Sequence, residues 1–271
     1  MIARRPIPLS VAMYTGALLL AALAVGPALW LLLGAFQAPG TSLRSVAGPY
    51  TAANFAEAWR EGGLAQPLLN SVLVTIARTT ANVLLAALAA YPLARMSFRG
   101  RRFIFLLVLA TTMIPEQVIV VPMFKIAAGL GLYDTLAGVV VPFSVSAFGV
   151  FMCRQSFLAI PDETEEAAIM DGAGPLRIWW NVMLPLAAPT LATLALFNII
   201  FAWSDLLWPL VILQSDDRFT LPVAINRLMG LFATNPRVAY AASVMALAPI
   251  VLFFFLIQRF LTPQLFAGAV K

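Results

Sequence analysis

Histidine is missing from the 271 residues altogether; there is a single cysteine, Cys153, and only two lysines, Lys125 and Lys271. The first absence removes a histidine base, a histidine-aspartate relay and an imidazole metal site. A lone cysteine removes an intrachain disulfide and a cysteine-based metal cluster. With lysine so scarce, and no glycine-rich loop closing on Gly-Lys-Ser or Gly-Lys-Thr, the chain is not itself an ATPase. It also lacks the paired-carboxylate core of an intramembrane enzyme, so neither a catalytic residue nor a metal ligand is expected. Charge is short too: 11% of residues are charged against 62% hydrophobic, and the mean hydropathy is +0.92. Such a chain cannot cover a soluble surface, and the solvent it suits is lipid.

What is present is a series of long apolar runs. They cover residues 9–36, 68–94, 103–126, 136–153, 184–213 and 239–261, each near the roughly 20 residues that a spanning helix needs. The first follows Arg4 and Arg5 but is too long for a secretory signal, whose apolar core spans roughly 7 to 15 residues. It therefore reads as a retained helix, and the whole chain, 1–271, as one bundle of six spans. The net charge is +5. Because the basic residues flank apolar segments, they orient the chain in a bilayer, and nucleic acid is not expected as a partner. With the N-terminus inside, Arg4, Arg5, Arg95, Arg99, Arg101, Arg102, Arg154, Arg177, Arg259 and Lys271 face the cytoplasm. Arg44, Arg60, Lys125, Arg218, Arg227 and Arg237 then face outward, with Arg78 inside a span. Ten against six puts both termini in the cytoplasm, as does the short Arg-rich turn 95–102. The two long outer segments, 37–66 and 214–237, serve either a partner or simple connection.

Residues 160–185, IPDETEEAAIMDGAGPLRIWWNVMLP, hold the densest charge. Pro161 suits a first helical position, and Asp162, Glu163, Glu165 and Glu166 crowd the end where the helix dipole favours anions. Gly172 ends this helix; Gly174 breaks the chain again, and Pro175 opens a second helix through Trp179 and Trp180 toward the fifth span. A helix, a glycine turn and a helix tied to a span can transmit a push into the membrane. The small side chains of Ala167 and Ala168 admit a close partner, and Glu166 offers a charge that an Arg or Lys would anchor. The same pattern fits an amphipathic helix lying on the bilayer.

Polar residues recur inside the second span. Asn70, Ser71, Thr75, Arg78, Thr79 and Asn82 fall at spacings of three and four, on one helix face. An ionised Arg78 at that depth costs roughly 2.5 to 3.5 kcal/mol, so it should meet a wet cavity or a carboxylate. Glu116 and Asp205 are the available acids. With Asn198 of the fifth span, the set Asn70, Thr75, Arg78, Asn82, Glu116 and Asp205 either lines a translocation path or packs helix against helix. Trp179 and Trp180 at one end of the fifth span and Trp208 at the other read as interface anchors, roughly 28 residues or about 42 Å apart. Asp205 then falls near the outer mouth.

Glu166-Ala167-Ala168, three residues, Gly172, nine residues, then Val182-Met183-Leu184-Pro185 resembles the EAA loop of ABC importer permeases. Val182 stands where that pattern has Ile. Further similarity to carbohydrate-type permeases, the group that includes maltose and glycerol-3-phosphate subunits, runs over most of the chain. It includes Asn70-Ser71-Val72 with Thr75, Ala90-Tyr91 to Arg95, Phe98-Arg99-Gly100-Arg101, Met113-Ile114-Pro115, the 131–135 segment, Trp203-Ser204-Asp205 and the closing Gly268-Ala269-Val270-Lys271. Two departures are Ser204, where Asn is common, and Gln264-Leu265-Phe266 before the closing segment.

The resemblance implies an all-α type I importer permease with six transmembrane helices and cytoplasmic coupling helices, in a bacterial inner membrane. It implies that Glu166, Ala167, Ala168, Asp171 and Gly172 enter a cleft of an ATPase, with Leu184 and Pro185 forming the joint to the fifth span. The implied partners are a second permease subunit, two ATPase subunits and an extracytoplasmic solute-binding protein. ATP and Mg²⁺ would be held by the ATPases, with no cofactor in this chain. The implied cargo is a sugar, with glycerol-3-phosphate or a glycerophosphodiester as the alternative. The rival class, an ion-coupled secondary transporter, would show an inverted repeat with matched broken helices; no such repeat is visible in the sequence.

Overall fold

The computed structural model describes residues 7–42, 47–232 and 235–267, with side chains over 13–42, 47–232 and 235–256. Arg4, Arg5, Arg44 and the closing 268–271 segment lie outside the described residues, as do the side chains of Arg259 and of 264–266. Among the described residues, three helices are long and apolar enough to cross a membrane, and up to six when each bent pair counts as one span.

The chain divides into two compact units. In the first, Met1–Leu64 with Ile225–Leu247, helix α1 (Ile7–Phe36) runs unbroken through Pro27 and ends against α2 (Ala53–Arg60). The last carbonyls of a helix have no partner within it. Here the buried Asn54 amide donates to the carbonyls of Ala35 and Gln37, both at 2.8 Å, and Phe36 packs on Phe55 with ring centroids 4.6 Å apart. Arg237 closes the unit by donating to the Thr41 carbonyl and, at 2.9 Å, to its hydroxyl.

The second unit, Ala65–Ala224 with Ala248–Lys271, is built around α3 (Ala65–Arg95). The following elements are α4 (Arg101–Ala110), α5 (Glu116–Gly129), α6 (Leu136–Val140), α7 (Ala147–Leu158), α8 (Asp162–Met170) and α9 (Pro175–Ile178). Then come α10 (Leu184–Leu186), α11 (Ala188–Ser204), α12 (Leu207–Ile212), α13 (Leu221–Leu231) and α14 (Arg237–Ala267), the last two crossing from one unit to the other. Ala86, Ala87 and Ala90 of α3 let α7 and α11 come close, and Val150, Cys153, Phe157 and Leu194 fill the seam. The approach is tightest at Gly149. A Cβ there would lie 2.9 Å from the Ala86 Cβ, the Asn82 Oδ1 and the Ser146 Oγ.

Three expected spans differ from the uninterrupted helices suggested by their apolar runs. The 103–126 run turns by 105° between Arg101–Met113 and Glu116–Gly129, because Pro115 sits at the break in an extended conformation and cannot continue the helix. The 136–153 run bends by 46°, after which Ser146 caps α7 by accepting from the Gly149 amide at 3.0 Å, and the helix continues to Leu158. The 184–213 run turns by 78° between Pro175–Leu186 and Ala188–Ser204, where Pro185 and Pro189 flank the break. It stops at Ser204 before restarting as α12.

The tryptophan expectation is corrected as well. Trp180 is exposed, but Trp179 is buried and donates to the Ala87 carbonyl at 3.2 Å. Trp208 is fully buried and donates to the Gly138 carbonyl at 2.9 Å. Both indoles found a polar partner inside the protein, which removes the reason for a ring to seek the headgroups.

Candidate functional site

The polar face of α3 splits into two parts. Toward its start, the Asn70 amide donates to the carbonyls of Asp217 and Phe219 at 2.9 and 3.0 Å, and Ser71 Oγ accepts from the Leu221 amide at 2.7 Å. These groups hold the 216–221 segment on the helix. Thr75 is buried and is not among the residues lining the cavity formed further along the helix.

Further along, Arg78, Asn82, Glu116, Asn198 and Asp205 come together around one cavity of about 590 Å³. Arg78 Nη1 lies 2.7 Å from Asp205 Oδ2, and the two side chains are 9% and 12% exposed. The guanidinium also sits 4.1 Å from the Phe143 ring centroid. Carboxylate and ring together offset the desolvation of the cation. Asn82 Oδ1 accepts from Ser146 Oγ at 3.1 Å and from Asn198 Nδ2 at 3.2 Å, while its Nδ2 donates to the Phe143 carbonyl at 3.2 Å. One amide thereby joins α3, α7 and α11. Phe148, Phe197, Phe201 and Gln117 complete a wall of rings and amides, a lining able to hold a polyhydroxylated solute by stacking and hydrogen bonding.

The 160–185 loop has the expected helix, glycine turn and helix. Gly172 has φ +77°, a left-handed conformation that glycine adopts without strain. Its amide donates to the Ile169 carbonyl at 2.9 Å, and the Ala173 amide to the Ala168 carbonyl at 3.0 Å. Glu166, Ala167, Asp171 and Gly172 are exposed, whereas Ala168 turns toward the core. Ile169, Met170, Leu176 and Trp180 are exposed beside them, Met170 at 86%. Leu184 is half-buried and Pro185 exposed, just past a π-helical turn over Trp179–Met183. No apolar or charge pattern in the sequence marks that wider turn.

Two side-chain sets escaped the sequence reading. At the end of α3, Arg95 pairs with Asp162, lies 3.6 Å from Glu165 through Nε, and donates to the carbonyls of Phe157, at 2.6 Å, and Ile160. Tyr91 Oη donates to Glu165 Oε1 at 2.8 Å. The exposed Asp162 and the part-buried Glu165 of α8 are thus bound to α3, leaving Glu166 turned outward. Elsewhere, Asp134 accepts from the Ser215 hydroxyl at 2.5 Å and from the Gln214 and Ser215 amides at 2.8 and 3.0 Å, with Arg218 3.4 Å away. These bonds, the Ser215 hydroxyl first, hold the Asp134 carboxyl down at about 2. Both sets join residues tens of positions apart, and neither has a local sequence pattern.

Helices of membrane-spanning length, a cavity walled by an Arg–Asp pair, amides and aromatic rings, and an exposed acidic helix have the layout of a membrane transport component. Residues 82–267 match the model of the binding-protein-dependent transport system inner membrane component family, and the chain belongs to that family. It is 36% identical over 260 residues to the arabinooligosaccharides transport system permease protein of Halalkalibacterium halodurans, covering 93% of each chain. It is 33% identical over 234 residues to the sn-glycerol-3-phosphate transport system permease protein of Yersinia pestis, covering 83% of this chain and 82% of that one. Among solved structures, a bacterial ABC transporter involved in the import of the acidic polysaccharide alginate aligns with TM-score 0.83 at 25% identity, over 96% of this chain and 99% of that one. The fold is that of a type I ABC importer permease, and the chain is a permease subunit of such an importer.

Proposed function

We propose that this permease passes an uncharged saccharide across a bacterial inner membrane, driven by ATPase subunits that dock on the 160–185 loop. The observation that carries the docking site is the outward face of α8. Glu166 and Ala167 stand exposed next to Gly172 and a rim of apolar side chains, suited to a partner groove carrying a basic residue. Glu166, Ala167, Asp171 and Gly172 make the contact, with Ala168 packed behind them toward the core, and Leu184 and Pro185 lie at the joint with α11. Six spans with both termini in the cytoplasm, a second permease subunit, two ATPases holding ATP and Mg²⁺, and an extracytoplasmic binding protein complete the assembly.

The charge in the cavity supports a neutral cargo. Arg78 is already matched by Asp205, and Glu116 adds a further acid to the wall, so among the described residues lining this cavity no unmatched cation awaits a phosphate or a uronate. Glycerol-3-phosphate, carried by one of the relatives, is the second reading. Purifying the tagged chain in mild detergent should bring down an ATPase and a second permease. Glu166→Lys should release the ATPase while leaving the two permeases paired. A chain that purifies alone and takes up solute on an ion gradient would overturn the proposal. Uptake inhibited by excess neutral oligosaccharide but not by glycerol-3-phosphate supports the neutral cargo, and the reverse pattern refutes it.

A further inference from the structure

We infer that Arg95 is a positioning residue that clamps the docking helix α8 to α3, so that motion imposed on α8 reaches the cavity along α3 and not only through the loop's exit into α11. The inference rests on the proposed reading of α8 as the ATPase docking helix. Three observations carry it.

The first is the number of groups that one side chain gathers. The Arg95 side chain is 6% exposed and holds Asp162 and Glu165 of α8 together with the Phe157 and Ile160 carbonyls at the end of α7. Tyr91, one turn back on α3, adds the bond to Glu165. A guanidinium presents its donors in a rigid planar fork, so α8 is fixed in orientation as well as position.

The second is that the same helix carries the cavity residues. Arg78 and Asn82 stand 17 and 13 residues before Arg95 on α3, which runs as one helix through Pro92, or about 26 and 20 Å at helical rise. Helix α3 therefore bears the clamp at one end and, along its length, the Arg78–Asp205 pair and the amide that joins α7 and α11.

The third is that the covalent route departs from a straight α-helix at three places. From α8 the chain passes a left-handed glycine at Gly172, a π-helical turn over Trp179–Met183 and the 78° bend between Pro175–Leu186 and Ala188–Ser204. Each can absorb displacement. The clamp bypasses all three.

The test uses the assembled transporter in native-lipid nanodiscs, with uptake and ATP hydrolysis measured on the same preparations. Arg95→Gln should lower solute uptake about tenfold or more while the ATPase still co-purifies and still hydrolyses ATP. The loaded binding protein should no longer accelerate that hydrolysis. The pair Asp162→Asn with Glu165→Gln should reproduce the effect, and Arg95→Lys, which keeps the charge without the fork, should fall between. Spin labels at Glu163→Cys and Ile76→Cys report the clamp directly, because Cys153 is fully buried and stays unlabelled. Their distance should remain single-valued through the ATP cycle in the otherwise unaltered chain and broaden in Arg95→Gln.

Normal coupled uptake by Arg95→Gln would overturn the inference. So would a label distance that changes equally with and without Arg95, or loss of the chain from the membrane in all three variants, which would mark a folding role alone. If the unaltered chain binds no ATPase, it is the docking proposal that fails instead.

Discussion

At the scale of single residues, the decisive group is Arg78. An arginine within a span is costly, and here the cost is met by one carboxylate and one ring. Removing a single partner of a buried pair leaves an uncompensated charge and costs about 3–5 kcal/mol, whereas removing both can be nearly neutral. Asp205→Asn should therefore lower the thermal stability of the purified protein more than Arg78→Met with Asp205→Leu together, as read from melting curves in one detergent. Asp205→Asn also strips the cation of its match, so an anion that has no effect on the unaltered protein should now inhibit uptake. Equal melting temperatures for the single and double variants would show that the pair is not coupled. The arginine and both candidate acids were visible in the sequence, but which acid paired was not. Asp205 won because α11 stops at Ser204 and the Trp208 amide donates to Asp205 Oδ1 at 3.3 Å, which aims its other oxygen at α3.

At the scale of elements, the Asp134 clasp ties the turn before α6 to the segment after α12 and offers a pH readout. Its carboxyl sits at about 2 when folded, against an ordinary value of 3.8. A depressed carboxyl stabilises the fold fully above the unfolded value and loses that contribution as pH falls toward the folded one. Melting temperature should thus drop as pH goes from about 5 toward 2, and Asp134→Asn should flatten that part of the profile while lowering the neutral-pH plateau. An unchanged profile in the variant would assign the acid sensitivity elsewhere.

Elements also show where sequence reading stopped. The existence of α1, α3 and α14 was legible because hydropathy sums over a long run whatever its neighbours do. The bends within the third, fourth and fifth runs were not, since an average over twenty residues is blind to direction and a proline such as Pro115 or Pro185 can either kink a spanning helix or be carried through it, as Pro27 is in α1. In the 160–185 loop, the caps and glycines gave the helix boundaries nearly to the residue. Its attachment to α3 through Arg95 was invisible, because ion pairs across 67 and 70 positions leave no periodicity. Trp208 was misread for a similar reason: an amphipathic ring in a hydrophobic run suits an interface equally well as a core with a carbonyl in reach.

At the scale of the whole molecule, two stretches of exposed apolar surface have different destinations. The stretch Met13–Phe36 has no buried residue in its most hydropathic window, as expected of a helix whose neighbours are lipid or another subunit. The exposed Ile169, Met170, Leu176 and Trp180 belong instead to a loop rich in charge, where lipid is a poor cover for the acids among them. On the proposed assembly, an ATPase covers them. A copy made in excess of that ATPase would display greasy tips in the cytosol, where quality-control proteases act on such surfaces. Pulse-chase labelling should show this chain turning over several-fold faster when the ATPase is depleted, and replacing Met170 and Leu176 by Ser should lengthen its lifetime under those conditions. The rim that completes the working machine would then also act as a supply gauge, keeping the stock of permease in step with that of its motor.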